Sequence, residues 1–219
     1  MKAHIVQKDC DNLDIRPFLD AARAAMADLI CFPELATTGC LYESREVEPL
    51  DYWLDVFAEY GLRIMIGLPL NQEDSLTNSY LYYHRGGCQI YNKINLFDPM
   101  NEDKVYRRGD SPGLFRTDLG LFGAAICYDI RFPVVFADLR SAGVDRIVIP
   151  AAFPRERIGE WRDLLVERAR QTERMVIGVN AVGDDGTNEF GGSSMVLAPD
   201  GLILALGDEV TETVLEVEF

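Results

Sequence analysis

The sequence is short of positive charge, of histidine and of long apolar runs, and these shortages exclude several classes of protein. Its 219 residues hold two histidines, and 21 lysines and arginines stand against 36 aspartates and glutamates, a formal net charge of −15. Such a surface repels nucleic acids and anionic membranes, so neither is an expected partner. No apolar run is long enough to span a bilayer. A small molecule is the favoured partner, and an anionic one would need a cation placed locally.

Paired cysteines are missing as well. The five cysteines are odd in number and none forms a C-x-x-C pair, which argues against both a disulfide framework and a zinc site. The first residues lack the basic segment and apolar run of a secretory signal. We therefore expect a cytoplasmic protein without a metal site.

Length and composition favour a single domain over residues 1–219. A hydrophobic share of 48% and a charged share of 26% are ordinary for globular proteins. Short apolar runs alternate with helical patterns, which predicts an α/β or layered α+β fold. Strands are predicted at 2–7, 29–32, 64–68, 76–83, 89–94, 113–117, 121–127, 146–151, 175–182, 194–198, 202–206 and 213–217. Helices are predicted at 15–26, 47–60, 134–141 and 161–172, and an exposed loop at 183–188.

Three of the predicted strands end in residues that can carry chemistry. Glu34 follows the strand at 29–32, while Lys93 and Cys127 lie at the ends of two later strands. Ligand sites in α/β folds gather at the carboxyl ends of strands, so we expect the three side chains to converge. A cysteine beside a carboxylate and an amine is a workable amide hydrolase, because the thiol needs a base and the tetrahedral intermediate needs a cation.

Taken singly, each of these residues also has an ordinary structural explanation. A cysteine on an apolar strand is usually a small core residue, and a lone lysine is usually solvated. The segment GGSS at 191–194 resembles serine amidases of another family, but no G-x-S-x-G elbow or serine–lysine pattern accompanies it. The combination of the three residues, rather than any one of them, therefore carries the hypothesis.

The segments around these residues form three motifs in a fixed order. They are FPELATTG at 32–39, YNKINLFD at 91–98 and CYDIRFP at 127–133. Three ordered motifs are a far stronger signal than one short pattern. The sequence resembles the nitrilase, or carbon-nitrogen hydrolase, superfamily in its amidase branch, and the resemblance spans nearly the whole chain.

This resemblance implies a catalytic set. The family's general base falls on Glu34, its lysine on Lys93 and its nucleophile on Cys127, with Glu102 as a second glutamate near the lysine. It also implies a four-layer-type α-β-β-α sandwich, a homodimer or higher homo-oligomer, and no metal or organic cofactor. By the family's chemistry, Cys127 attacks an amide to form a thioester and release ammonia, and Lys93 with the N–H of Tyr128 stabilises the oxyanion.

The residues around the cysteine narrow the expected substrate. CYDIRFP is similar to the motif of omega-amidases and deaminated-glutathione amidases, whose substrates carry a carboxylate, so an amide is favoured over a nitrile. Arg131 is a candidate partner for that carboxylate because arginine binds it bidentately, and the alternative is a structural ion pair with Asp129. Tyr42, Tyr128 and Phe153 are candidate substrate-binding residues, with an ordinary core or interface role as the alternative for each.

Two departures from the family pattern bear on these expectations. Asn95 stands where the family often carries histidine, and the chain is shorter than typical members, which leaves pocket access and oligomer contacts open. The competing interpretation is a non-catalytic binding domain on the same fold, and a nitrilase or carbamoyl hydrolase of the superfamily is a further alternative. The intact set of Glu34, Lys93 and Cys127 favours the enzyme.

Overall fold

Two six-stranded sheets organise the chain in a computed structural model, which describes residues 1–41, 43 and 45–218. The strands are β1 Lys2–Gln7, β2 Leu29–Cys31, β3 Ile64–Gln72, β4 Ser75–His84, β5 Gly87–Asn92, β6 Gly113–Thr117, β7 Gly120–Ala124, β8 Arg146–Ala151, β9 Met175–Asn180, β10 Val182–Asp184, β11 Glu189–Gly191, β12 Met195–Leu197, β13 Ile203–Leu206 and β14 Thr213–Glu218. The helices are α1 Arg16–Ala24, α2 Leu50–Ala58, α3 Glu102–Val105, α4 Pro133–Ser141 and α5 Ile158–Thr172, with short 3₁₀ helices at Asp98–Met100, Cys127–Arg131 and Arg155–Arg157.

Both sheets mix parallel and antiparallel strands. The first has the order β14-β1-β2-β3-β4-β5, and the second has the order β13-β12-β9-β8-β7-β6. Strands β1, β2 and β3 run parallel to one another, as do β7, β8 and β9. Parallel neighbours present their carboxyl ends at the same edge of a sheet. The segments that follow β7 and β8 therefore leave the second sheet at the same edge.

The sheets pack face to face, with helices on their outer faces. Met65 and Tyr80 of the first sheet are fully buried in one cluster with Phe122, Val148 and Ile177 of the second. Apolar residues of α1 and α2 bury against the other face of the first sheet, and those of α4 and α5 against the other face of the second. The architecture is an α-β-β-α sandwich, as the resemblance implied, and one chain supplies all four layers.

Most of the predicted elements are present, with shifted ends. The strand predicted over 121–127 is the main exception, because β7 ends at Ala124 and Cys127 opens a 3₁₀ helix. Its apolar residues indicated a strand, but the backbone of Cys127 has φ +44°, which a strand cannot contain. The loop expected at 183–188 is in part ordered, because β10 and β11 pair as a hairpin around it. No helix in the described part of the chain combines the length and apolar character needed to cross a bilayer.

Candidate active site

A cavity of about 240 Å³ opens where several segments leave the two sheets. Glu34 follows β2, Lys93 follows β5, Cys127 follows β7, and Glu102 is the first residue of α3. All four side chains line this cavity. The structure therefore brings together residues that are up to 93 positions apart, from Glu34 to Cys127, as the strand-end argument predicted.

The ammonium of Lys93 bridges the two glutamates. Its Nζ lies 2.9 Å from Oε1 of Glu34 and 2.9 Å from Oε1 of Glu102. The side chain of Lys93 is only 1% exposed, and that of Glu34 only 3%. An ion pair removed from water needs further hydrogen bonds to be tolerated. Asn78 supplies two of them, because its Nδ2 donates to Glu34 Oε1 at 2.7 Å and to Glu102 Oε1 at 3.4 Å.

Backbone N–H groups hold the second oxygen of each glutamate. Ala152 donates its N–H to Glu34 Oε2 at 3.0 Å, and Phe97 donates its N–H to Glu102 Oε2 at 2.7 Å. Each carboxylate is therefore fixed at both oxygens, in a plane set by the main chain. A base held in this way keeps one orientation toward the cavity, which is what a proton transfer requires.

Two glycines allow the main chain to bring Glu34 and Lys93 into place. A Cβ added at Gly67 of β3 would lie 2.6 Å from the Cα of Glu34, and a Cβ added at Gly109 would lie 2.1 Å from the carbonyl oxygen of Asn92. Both approaches are too close for any side chain. The N–H of Gly109 also donates to the carbonyl of Lys93 at 2.9 Å, which ties the end of β5 to the segment after α3.

Cys127 sits on a turn that the buried carboxylate of Asp129 anchors. The φ of Cys127 is +44°, a left-handed value that is uncommon outside glycine and common at functional turns. Asp129 Oδ2 accepts hydrogen bonds from the Ile126 N–H at 2.9 Å and the Tyr91 hydroxyl at 2.7 Å. Its Oδ1 accepts from the N–H and the Nδ2 of Asn95 at 2.9 and 2.8 Å. Asn95 therefore links the Lys93 segment to the Cys127 turn, which explains the role of an amide at this position.

Burial, more than the neighbouring charges, makes the thiol of Cys127 hard to ionise. Burial and the carboxylate of Glu34 raise the pKa of the Cys127 thiol well above its usual value, although the Lys93 ammonium opposes them. Burial would lower the pKa of Lys93, but the charges of Glu34 and Glu102 raise it well above the usual value. Burial likewise raises the pKa of Glu102. A thiol with a raised pKa ionises poorly near neutral pH, so attack by sulfur requires a base within the cavity.

The predicted substrate-binding residues divide into three cases. Tyr128 and Phe153 line the cavity, with the Tyr128 ring packed against Phe97 at 4.9 Å and the Phe153 ring packed against Trp161 at 5.3 Å. Tyr42 lies outside the described residues. Arg131 also lines the cavity, and its ion-pair partner in the structure is Glu160.

The alternative role considered for Arg131, a structural ion pair with Asp129, is wrong. Both terminal nitrogens of Arg131 bind the two carboxylate oxygens of Glu160 in α5, one of them at 2.9 Å. Asp129 is fully buried and directs its two oxygens to Tyr91, Ile126 and Asn95 instead. The 3₁₀ turn separates the two side chains, so neighbours in sequence are not partners in space.

Sequence patterns did not identify several residues that shape the cavity. Asn78 lies within β4 and carries no motif, but its carbonyl accepts the Lys93 N–H at 2.9 Å, so the two residues are cross-strand neighbours. Cys40, Phe190 and Arg157 also line the cavity. The excess of acidic residues in the sequence could have pointed to Arg157, because an anionic substrate of such a protein needs a cation near the site.

Comparisons with known proteins find a matching family model and several similar proteins. A family model described as carbon-nitrogen hydrolase matches residues 4–219. The chain is 30% identical to the 2-oxoglutaramate amidase of Bacillus subtilis, over 91% of this chain and 81% of that protein. It is 29% identical to the omega-amidase YafV of Escherichia coli, over 87% of this chain and 77% of that protein.

A solved structure with similar sequence has the same fold. The protein XC1258 of Xanthomonas campestris, a CN-hydrolase superfamily protein with an arsenic adduct in its active site, is 26% identical. It superposes with a TM-score of 0.84, over 99% of this chain and 89% of that chain. The similarity therefore includes every element that carries the cavity.

Proposed function

Since this chain belongs to the carbon-nitrogen hydrolase family, we propose that it hydrolyses the amide bond of a small, carboxylate-bearing amide through a thioester on Cys127. The observation that carries the proposal is the placement of a thiol in one cavity with a fixed carboxylate and a fixed ammonium. These are the nucleophile, base and electrophilic group that amide hydrolysis needs.

In the first half of the reaction, Cys127 attacks the amide carbonyl and Glu34 takes the thiol proton. The oxyanion that develops would accept hydrogen bonds from Lys93 and from the N–H of Tyr128. An ammonium has three N–H donors, and Glu34 and Glu102 take two of those of Lys93. The third is available for the substrate. Glu34 then returns its proton to the leaving nitrogen, and ammonia departs.

In the second half, water replaces ammonia. Glu34 removes a proton from water, which attacks the thioester carbonyl, and the proton returns to the sulfur as the acid leaves. Glu102 holds Lys93 through both halves, and its own second oxygen is held by the Phe97 N–H. In this scheme Glu102 positions the lysine, while Glu34 moves the protons.

The substrate class follows from the relatives and from the size of the cavity. The relatives include 2-oxoglutaramate amidases, omega-amidases and a deaminated glutathione amidase of Dictyostelium discoideum. A cavity of about 240 Å³ accommodates an amide of a few carbons rather than a polymer. A nitrilase activity remains the second candidate, because a relative in Schizosaccharomyces pombe is named a probable nitrilase.

A substrate panel tests the proposal. We expect ammonia release from succinamate or 2-oxoglutaramate, and slower or no release from a simple aliphatic amide and from a nitrile of the same length. Cys127→Ala is the control, and the release should vanish in it while the protein stays folded by circular dichroism. If the folded wild-type protein releases no ammonia from any compound of the panel, the binding-domain interpretation is favoured. Ammonia release from the nitrile alone would favour a nitrilase.

A further inference from the structure

A carboxylate-bearing substrate faces an electrostatic problem in this cavity. The chain carries a net charge of −15, and the catalytic end of the cavity holds two glutamates against one lysine. A substrate carboxylate placed at that end would be repelled. It therefore needs a cation elsewhere on the cavity wall, and this cation would also orient the amide toward Cys127.

Among the described residues that line the cavity, two are arginines, and one of them, Arg131, already has a carboxylate partner. Both of its terminal nitrogens bind the carboxylate of Glu160, and this hydrogen bonding raises the pKa of the guanidinium further. The guanidinium carbon also lies 5.8 Å from the ring centre of Tyr128 and 5.5 Å from that of Phe153. Arg131 is thus held in place beside Tyr128 and Phe153, and its guanidinium faces Glu160.

Arg157, in contrast to Arg131, is paired only loosely with Glu160. Its approach to Glu160 is long, 3.4 Å from Nε, and within the described part of the chain no hydrogen bond engages a terminal nitrogen of Arg157. The side chain of Arg157 is 45% exposed. Arg157 is the last residue of the 3₁₀ helix that precedes α5. Two guanidinium groups share the single carboxylate of Glu160, which leaves the trio with one uncompensated positive charge. That charge is on the cavity wall.

We propose that Arg157, rather than Arg131, binds the carboxylate of the substrate and so determines the preference for carboxylate-bearing amides. The terminal N–H groups of its guanidinium match the two oxygens of a carboxylate, and Glu160 lies 3.4 Å from its Nε. Arg131 acts indirectly, because it neutralises most of the charge of Glu160 and leaves Arg157 available. This proposal rests on the proposed amidase function.

One neighbouring charge opposes this role. Glu156 is exposed and also lines the cavity, next to Arg157 in sequence. Its carboxylate would repel a substrate carboxylate at the same place, with an effect weakened by solvent. Replacement of Glu156 by glutamine is therefore expected to change selectivity in the direction opposite to replacement of Arg157, which provides an internal check.

The test compares two amides of equal length in the full chain. Succinamate carries a carboxylate where butyramide carries a methyl group, so the ratio of their kcat/KM values measures carboxylate recognition. We expect Arg157→Gln to lower this ratio by about tenfold or more, mainly through the KM of succinamate, because charged hydrogen bonds are lost. Arg157→Lys should restore part of it, and Glu156→Gln should raise it. The matched control is Arg23→Gln on α1, an exposed arginine outside the cavity, which should leave the ratio as in the wild type.

Each contrary result has a distinct meaning. If the wild type prefers succinamate and Arg157→Gln keeps the wild-type ratio, the assignment of Arg157 is overturned while the amidase stands. The same holds if Arg131→Gln alone removes the preference in a protein that remains folded, or if the wild type turns over both amides equally. If the wild type releases ammonia from neither amide nor any other in the panel, the proposed function fails, and the role of Arg157 falls with it.

Discussion

Glu34→Gln is expected to lower amide turnover by roughly 10³-fold or more, because the base that takes the thiol proton is lost. Burial and the charge of Glu34 keep the pKa of Cys127 well above its usual value, so the thiol does not ionise by itself at neutral pH. The glutamine amide fits the same space but accepts no proton. Ammonia release measures the loss, and thermal unfolding checks that the protein is folded.

The same substitution should make Cys127 easier to alkylate at neutral pH. Removal of the Glu34 charge removes a cause of the raised thiol pKa, so the midpoint of alkylation by iodoacetamide should move to lower pH. Mass spectrometry of the Cys127 peptide separates this thiol from the other cysteines. Glu102→Gln is the matched control, and it should keep more of the turnover because Glu34 remains. Near wild-type turnover in Glu34→Gln would contradict the role of Glu34 as the base.

Lys93→Met should abolish turnover and also destabilise the fold. The substitution leaves Glu34 and Glu102 buried without the ammonium that lies 2.9 Å from each of them. Removal of one partner from a buried ion pair typically costs about 3–5 kcal/mol of the free energy of unfolding. Chemical denaturation monitored by tryptophan fluorescence measures this loss, and the ammonia assay measures the loss of the oxyanion partner.

The stability loss should depend on pH in a defined direction. In Lys93→Met, burial and repulsion by Glu34 raise the pKa of Glu102 in the folded state above its value in the unfolded chain. The folded protein then holds protons that the unfolded chain releases, so stability falls as the pH rises from the unfolded pKa to the folded one. The deficit relative to the wild type should thus shrink at acidic pH. The double variant Lys93→Met with Glu102→Gln should regain stability but no activity, and equal stability of the two variants would contradict this explanation.

The sequence predicted the convergence of Glu34, Lys93 and Cys127 because each follows or ends an apolar strand. The sequence did not predict the order of the strands in the sheets or the hydrogen-bond partners of the side chains. Asn78 contacts both glutamates only because β4 pairs with β5, which places it across from Lys93. Nothing in the residues around it marks that position as different from the rest of the strand.

The local sequence pattern also failed to predict the partners of charged residues. Asp129 and Arg131 are two positions apart, which suggested an ion pair, but the 3₁₀ turn directs Asp129 inward to Asn95 and Arg131 outward to Glu160, 29 positions away. The left-handed backbone at Cys127 was likewise hidden, because its apolar neighbours have the composition of a strand. Contacts between residues far apart in the sequence determine these features, and the spacing of residues along the chain does not reveal such contacts.

Rapid acid quench followed by peptide mass spectrometry can detect the thioester on Cys127 through which we propose that acyl transfer passes. During turnover of succinamate, we expect an adduct on the Cys127 peptide with the mass of the amide less ammonia. The adduct should be sensitive to hydroxylamine and absent from Cys127→Ala. Sustained ammonia release by Cys127→Ala, or an acyl adduct on a different residue, would contradict this proposal.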